Sequence, residues 1–253
     1  MQYTEKAHPA ENTHGTSPDG FIPSMAIRAF LASKTKILII GDFTQRDYKV
    51  LKDLGKDVSV MDIVPLKNID NFYLQSITEK TSFYDKTFDG IVLAEVIEHL
   101  FEDYVALTEI NRILKDDGTL VVTVPYFSNV QDEPEFHVRV HSHKTITRLL
   151  QHTGFAIEEH FYRGLVSRMP QKNVFTKLIT FGTSKILRLF FGTTEGTQKF
   201  KNLCFKVEHF LGTQPFFYPL QKACTSFGGI MKIKKDIKTD FMEIQKTSFK
   251  PPA

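Results

Sequence analysis

The chain has 253 residues, a net charge of +3 and two cysteines. This length is enough for a large buried core, in one domain with an elaboration. Two cysteines without a Cys-x-x-Cys spacing exclude a disulfide framework. The polar N-terminus lacks the basic-then-apolar pattern of a signal peptide, so we expect a cytoplasmic protein rather than a secreted one.

The small net charge hides an uneven distribution. Residues 1–164 carry 17 Lys/Arg and 24 Asp/Glu, a net charge of −7. Residues 165–253 carry 15 Lys/Arg and 5 Asp/Glu, a net charge of +10. The basic charge therefore belongs to the C-terminal third, which needs a different explanation from the rest.

The N-terminal third alternates between buried strands and short helices. The first 24 residues have no apolar period and predict an arm or loop that leads into a helix. In chain order we then predict a helix at Pro23–Ala32, a strand at Lys36–Gly41, a helix at Arg46–Leu54 ended by Gly55, and strands at Val58–Ile63 and Tyr73–Thr78.

The stretch Phe88–Phe127 predicts a complete strand–helix–strand unit. An apolar run at Ile91–Leu93 is typical of a strand that is buried on both faces. Apolar residues from Leu100 to Leu114 then recur at helical spacing, and we expect Glu98 and His99 to open that helix. Asp117-Gly118 breaks the helical pattern before a second strand, Thr119–Val124, which Pro125 ends.

The later elements continue the same alternation. Ser142 is placed to cap a helix at Thr145–Gln151, and Gly154 ends that helix before a strand at Phe155–Tyr162. Strands that alternate with helices in this way predict an α/β protein with a doubly wound, mostly parallel sheet.

Three segments resemble class I S-adenosylmethionine (SAM) dependent methyltransferases, especially the small-molecule branch that includes the ubiquinone-pathway enzymes. They read FDGIVLAEVIEHL, EINRILKDDGTLVVTVP and HVRVHSHKTITRLLQHTGFAIEEHFY. The resemblance implies a Rossmann-like sheet and a last strand at Gly229–Lys235, after an inserted helical lid. It divides the chain into an arm and short helix (1–35), a SAM-binding core (36–164), a basic aromatic insertion (165–227), and the last strand with its tail (228–253).

The resemblance also implies the cofactor, SAM, and a set of residues that bind it. Asp62 stands where the family's ribose-binding acid closes the second strand, although it could instead only cap the turn toward Pro65. The full implied set is Gly41, Asp42, Asp62, Ile63, Glu79, Glu95 and Val96, with Glu79 as the nearest carboxylate on the adenine side and Glu95 and Val96 beside the methionine end.

The first motif departs from the family pattern. Only Gly41 remains of the glycine-rich turn, and Phe43 and Gln45 carry side chains where backbone normally approaches the cofactor. Two alternatives follow, a methyltransferase with an altered pocket or a non-catalytic methyltransferase-like binding or scaffold protein. We favour the enzyme, which would transfer methyl to an O or N acceptor on a small molecule.

Two histidines are candidates for proton transfer. His99, which follows the first-turn acid Glu98, and His137 would border the acceptor, where an imidazole can take a proton from a hydroxyl. Structural packing is the alternative for both. His137, His141 and His143 have a spacing compatible with zinc, but no fourth ligand adjoins them, so we predict no metal site.

The insertion combines large apolar and basic residues. At 100° per residue, one broad face of Asn173–Phe191 is apolar, while Lys177 and Arg188 lie on the other face. Three cations and Gly182 argue against a transmembrane helix. The open alternatives are a lid packed on the sheet, peripheral contact with an anionic membrane surface through residues 172–222, and nucleic-acid binding, which no recognised motif supports.

Overall fold

The computed structural model describes residues 22–126, 137–164, 174–222 and 228–236. The predicted arm before residue 22 and the tail after residue 236 lie outside the described residues. So do residues 165–173 and 223–227 of the predicted insertion.

The described residues form a seven-stranded sheet with the order β3-β2-β1-β4-β5-β7-β6. Strands β1 to β5 pair in parallel, and β7 runs antiparallel between β5 and β6. This is the predicted doubly wound, mostly parallel α/β sheet. The strands are β1 (Lys36–Ile40), β2 (Asp57–Asp62), β3 (Phe72–Leu74), β4 (Phe88–Ala94), β5 (Leu114–Pro125), β6 (Phe155–Arg163) and β7 (Gly228–Lys235).

Helices cover both faces of the sheet, and apolar side chains fill a core on each face. The apolar runs of β1 and β4 are buried, as strands covered on two sides must be. The helices are α1 (Ile22–Phe30), α2 (Arg46–Asp53), α3 (Asp103–Ile113), α4 (His143–His152), α5 (Val174–Phe191), α6 (Thr193–Thr213) and α7 (Tyr218–Lys222).

The predicted start of the helix after β4 was wrong. Glu98 and His99 lie in a separate 3₁₀ turn, Ile97–His99, and α3 begins only at Asp103. The reason is the backbone of Leu100, which is extended with φ −95° and ψ 123° and so interrupts the helix. The two side chains therefore project from a tight turn at the end of β4 rather than from a long helix.

The break expected at Asp117-Gly118 lies inside β5. The pairing of β4 with β5 shifts register between Phe88 and Gly90, so β5 continues from Leu114 through an irregular segment. A Cβ atom on Gly118 would come within 2.6 Å of the Leu114 side chain, which explains why a residue without a side chain stands there.

Helix α4 follows the prediction closely. Ser142 accepts a hydrogen bond from the Thr145 N–H, and the Thr145 side chain accepts from the Ser142 N–H, which completes a capping box. Gly154 has φ +79° and ends the helix before β6. The capping box thereby joins Ser142, before α4, to the first turn of the helix.

In the insertion, α6 packs on the sheet and α5 packs on α6. A Cβ atom on Gly212 of α6 would lie 2.3 Å from the Tyr162 carbonyl oxygen of β6, and one on Gly196 would lie 2.4 Å from the Leu187 oxygen of α5. The buried Glu208 carboxylate accepts a hydrogen bond from the Gly164 N–H. Glycines thus permit both close contacts.

Across the described ranges, none of the helices combines the length and the apolar character needed to cross a bilayer.

Candidate functional site

The loops that follow β1, β2 and β4 meet at the carboxyl edge of the sheet. In open α/β folds this edge is where ligands bind. The loop after β1 begins at Gly41, the loop after β2 at Ile63 and the loop after β4 at Glu95. The predicted cofactor residues are distributed over these loops and over the segment that follows β3.

Gly41 and Val96 are in direct contact across two of these loops. Gly41 has φ +72°, and a Cβ atom there would lie 2.6 Å from Cγ2 of Val96. Its N–H donates to the Met61 carbonyl oxygen at 2.9 Å, which ties the loop to β2. Both the left-handed backbone and the close approach of Val96 therefore require a glycine at this position.

The Asp42 carboxylate accepts a hydrogen bond from the first turn of α2. It is 4% exposed, and its Oδ2 atom accepts a hydrogen bond from the Tyr48 N–H at 2.7 Å. Burial, and then the neighbouring Asp47, raise the pKa of Asp42 to about 7. The prediction that Asp42 contacts the cofactor stays a prediction beside this structural role.

Gln45, which stands in the part of the glycine-rich turn that departs from the family pattern, is held by hydrogen bonds within its own loop and to the loop after β2. The Gln45 N–H donates to the Asp42 carbonyl oxygen at 2.8 Å, and Gln45 adopts the left-handed conformation with φ 53°. Its side chain donates from Nε2 to the Lys67 carbonyl oxygen at 2.9 Å. Gln45 therefore bridges the loops after β1 and β2, and the Phe43 side chain is exposed.

Two predicted residues, Ile63 and Glu79, line one cavity of about 330 Å³. Ile63 is 53% exposed and shares the apolar part of this cavity with Leu74. Gln75, Ser76 and Lys80 complete its lining with polar groups. Apolar surface bordered by amide, hydroxyl and carboxylate groups suits a flat aromatic base with hydrogen-bonding edges.

Asp62 immediately precedes Ile63 at the end of β2. Its Oδ1 atom accepts a hydrogen bond from the Val64 N–H at 3.0 Å, which is the turn contact weighed as an alternative above. A carboxylate has several acceptor positions, so this contact leaves capacity for ribose hydroxyls. The turn role and the cofactor role are therefore compatible.

Glu95 anchors the turn after β4. It has φ 54°, and its Oε1 atom accepts from Thr123 Oγ1 at 2.6 Å while Oε2 accepts from Arg163 Nη2 at 2.7 Å. Arg163 is buried at the end of β6. This ion pair links the turn after β4 to the end of β6, and no pattern in the sequence indicates it.

The two histidines proposed as bases lie together. The ring centroids of His99 and His137 are 4.8 Å apart in an edge-on arrangement. Burial, and then His99, lower the pKa of His137 to about 4, so its imidazole is neutral at neutral pH and can accept a proton. The Val138 and Arg139 N–H groups donate to the Glu98 carbonyl oxygen, which holds the His137 segment against the turn.

The other two histidines of the predicted trio lie elsewhere. His141 is buried and makes a backbone hydrogen bond at Ile97, while the His143 ring lies against His160, with centroids 4.2 Å apart. Burial lowers the pKa of both His141 and His143. Among the described residues, the three side chains whose ligand atoms lie within 4.8 Å of one another are instead Glu98, His99 and His137.

Residues 31–122 match the Methyltransf_11 family, described as a methyltransferase domain. A probable S-adenosylmethionine-dependent methyltransferase of Mycolicibacterium smegmatis is 34% identical over 80 residues, which are 30% of this chain and 31% of that protein. The chain thus spans about a third of the length of this relative.

Solved structures extend the likeness to most of the fold. A SAM-dependent methyltransferase from Archaeoglobus fulgidus has a TM-score of 0.51 and 16% identity, covering 84% of this chain and 94% of that one. A second similar structure is the 1,6-didemethyltoxoflavin-N1-methyltransferase of Burkholderia thailandensis, solved with 1,6-didemethyltoxoflavin and S-adenosylhomocysteine. It has a TM-score of 0.52 and 14% identity, and the match covers 85% of this chain and 77% of that one. At these identities the likeness shows the fold. The match to the methyltransferase domain itself covers residues 31–122.

Proposed function

We propose that this protein is a SAM-dependent methyltransferase. The observation that carries the proposal is the cavity beside β2, where Ile63 and Glu79 meet next to Asp62. It lies at the carboxyl edge of a doubly wound sheet, within a region that matches methyltransferase domains. The likeness to a protein solved with S-adenosylhomocysteine further supports SAM as the cofactor.

The proposal assigns each part of the cofactor to residues at this edge. The Asp62 carboxylate would accept hydrogen bonds from the ribose hydroxyls, and the exposed Ile63 side chain would pack on the adenine. Gly41 and Val96, which approach each other closely, would border the methionine end. Positioning dominates methyl transfer, and good orientation contributes on the order of 7–11 kcal/mol.

The acceptor in this proposal is an oxygen or nitrogen atom of a small molecule, as in the small-molecule branch that the sequence resembles. His137 is neutral at neutral pH and lies against His99, so either imidazole could take the acceptor's proton. The proton loss makes the acceptor atom a better nucleophile toward the sulfonium methyl group.

The insertion favours an amphipathic or lipid-linked acceptor. On α5, Leu189 is 82% exposed, and Ile186 and Phe190 beside it are also exposed, so these three residues of the apolar face do not pack on the sheet. Lys185 and Arg188 are exposed on the same helix. A surface with these properties suits peripheral contact with an anionic membrane.

Calorimetric titration of the intact protein with SAM and with S-adenosylhomocysteine tests the proposal. We expect one site per chain, and we expect Asp62→Ala to weaken binding by about 1–3 kcal/mol if the ribose hydrogen bonds are lost. Asp70→Ala is the matched control, because Asp70 is an exposed acid that pairs with Lys52 at the surface.

A protein that binds neither ligand at millimolar concentration would contradict the enzyme proposal. It would favour the non-catalytic binding or scaffold alternative, which Phe43 and Gln45 in the glycine turn motivate. Equal affinities for Asp62→Ala and the native protein would instead show that the ribose is held elsewhere.

A further inference from the structure

The turn after β4 and the segment that begins at residue 137 bring three metal-ligating side chains together. One ligand atom from each of Glu98, His99 and His137 lies within 4.8 Å of the other two. Around a tetrahedral cation, with ligand atoms about 2.1 Å away, those atoms are about 3.4 Å apart. Small side-chain rotations would therefore bring the three ligands onto one cation.

Glu98 distinguishes this cluster from a chance grouping of surface residues. Its side chain is 2% exposed, and in the part of the chain that the structure describes no hydrogen-bond donor reaches its Oε2 atom. A buried carboxylate oxygen without a partner costs folding free energy, and native proteins pair such atoms with a donor or a cation. We propose that Glu98, His99 and His137 bind a divalent cation of the zinc class.

The backbone around the three ligands is held in place without a cation. The Val138 and Arg139 N–H groups donate to the Glu98 carbonyl oxygen at 2.9 and 3.2 Å. The Arg139 guanidinium also pairs with the buried Asp103 at the start of α3. The segment that carries His137 is thus fixed to the residue that supplies the carboxylate, as a preorganised site requires.

The ligand chemistry favours a transition metal with an open position. One carboxylate and two imidazoles form the three-ligand set of zinc sites that keep a fourth position for water or substrate. His99 and His137 are only partly buried, so the cation would have a side toward solvent. Glu95 is not in the proposed set, because its oxygens already accept from Thr123 and Arg163.

The role of the cation rests on the proposed function and refines it. A cation at this edge would hold the oxygen of an acceptor hydroxyl and lower its pKa, so that the proton passes to solvent. The methyl carbon would then leave the sulfonium sulfur and bond to that oxygen, releasing S-adenosylhomocysteine. In this arrangement His99 and His137 act as ligands rather than as bases.

Metal titration of the full chain tests the site directly. The protein, made without a histidine tag and stripped with chelator, is titrated with ZnCl₂ by calorimetry and with CoCl₂ by visible absorption. We expect one Zn²⁺ per chain and a cobalt spectrum of low coordination number. Glu98→Gln, His99→Asn and His137→Asn should each weaken binding at least tenfold.

His152→Asn is the matched control, because His152 is an exposed histidine at the end of α4. It should bind Zn²⁺ as the native protein does. Circular dichroism checks that each variant folds, and the two variants of the partly buried histidines keep the test decisive if Glu98→Gln does not fold. The absence of stoichiometric binding, or equal binding by the native protein and the three cluster variants, would overturn the proposal.

The same samples are titrated with S-adenosylhomocysteine, which separates the two proposals. Ligand binding without metal binding would overturn the cation site and leave the proposed function standing. Metal binding without S-adenosylhomocysteine binding would support the cation site and overturn the proposed function.

Discussion

Gly41 occupies a position at the edge of this sheet where both the backbone conformation and the packing require a glycine. Its φ of +72° costs an L-residue about 1–2 kcal/mol, and overpacking against Val96 would add about 1–3 kcal/mol. Gly55 has a similar φ of +69° but nothing within 4 Å of the place where a Cβ atom would stand. Comparing the same substitution at Gly41 and at Gly55 therefore separates the cost of backbone strain from the cost of steric conflict.

We predict that Gly41→Ala lowers the free energy of unfolding by more than Gly55→Ala does. Gly55→Ala should cost only the backbone term, about 1–2 kcal/mol, and should leave S-adenosylhomocysteine affinity unchanged. Gly41→Ala should displace Val96 and weaken that affinity as well. Urea unfolding and calorimetry measure the two effects, and equal losses of stability would show that Val96 gives way freely.

Asp42 makes stability depend on pH. Its pKa is raised from 3.8 to about 7, so between these values the folded chain holds a proton that the unfolded chain has lost. The free energy of unfolding should therefore fall as the pH rises through that window. Asp42→Asn cannot titrate, yet its amide oxygen can still accept from the Tyr48 N–H.

We expect Asp42→Asn to be more stable than the native protein at pH 8, by on the order of 4 kcal/mol, with the difference shrinking toward pH 4. Asp57→Asn, which changes an exposed carboxylate at the start of β2, is the control. Urea unfolding at several pH values measures all three proteins. A difference that is constant across the range would mean that Asp42 is ionised in the folded chain at all of them.

At the scale of elements, α4 depends on its capping box. We predict that Ser142→Ala costs about 1 kcal/mol, because the Thr145 N–H then loses its acceptor at the helix start. Thr147→Ala is the matched control: the Thr147 hydroxyl only donates back to the His143 carbonyl oxygen within the same helix, so its loss should be nearly neutral. Chemical denaturation compares them, and similar costs would argue against the cap.

Local sequence patterns were sufficient to predict most strands of the sheet and the helices between them. Short apolar runs such as Ile91–Leu93 identify strands buried on both faces, and the Ser142 cap with Gly154 locates α4. The start of α3 was missed because apolar periodicity continues through Leu100, whose extended backbone depends on its surroundings. The insertion was expected to be helical, but the bounds of α6 were not predicted, because its phenylalanines alternate with lysines and its buried contacts involve glycines and Glu208.

Residues of the site were harder to predict than elements. The positions of Gly41, Ile63 and Glu95 at strand ends follow from the sheet, since a parallel sheet brings its carboxyl ends to one edge. The pairing of Glu95 with Arg163 joins residues 68 apart and depends on the placement of β6 in the sheet. No periodicity in the sequence encodes a contact of this kind.

For the whole molecule, charge and exposed apolar surface are concentrated in the insertion. Residues 165–253 carry the net charge of +10, and the described part of α5 presents Leu189 and Phe190 to solvent. Lys199 lies over the Phe191 ring, 3.4 Å from its centroid, so cations and aromatic rings are interleaved here. Phe216, after α6, is 85% exposed.

This surface leads to the last prediction, that the protein binds anionic membranes in a salt-dependent way. Each Lys or Arg near such a surface contributes about 1 kcal/mol, and the exposed apolar side chains add to binding by inserting among the lipids. In co-sedimentation, we expect binding to vesicles that contain phosphatidylserine at low salt, weaker binding at high salt, and none to phosphatidylcholine vesicles. Replacing both Leu189 and Phe190 with serine should reduce binding several-fold.

Tyr84→Ser is the control, because Tyr84 is a highly exposed aromatic residue outside the insertion. Its loss should leave sedimentation unchanged, since the proposed contact is confined to residues 172–222. If the native protein does not sediment with anionic vesicles at low salt, the apolar face of α5 has another partner, and an acceptor in solution becomes the better proposal. If the control loses as much binding as the double variant, the attachment is nonspecific and carries no information about the acceptor.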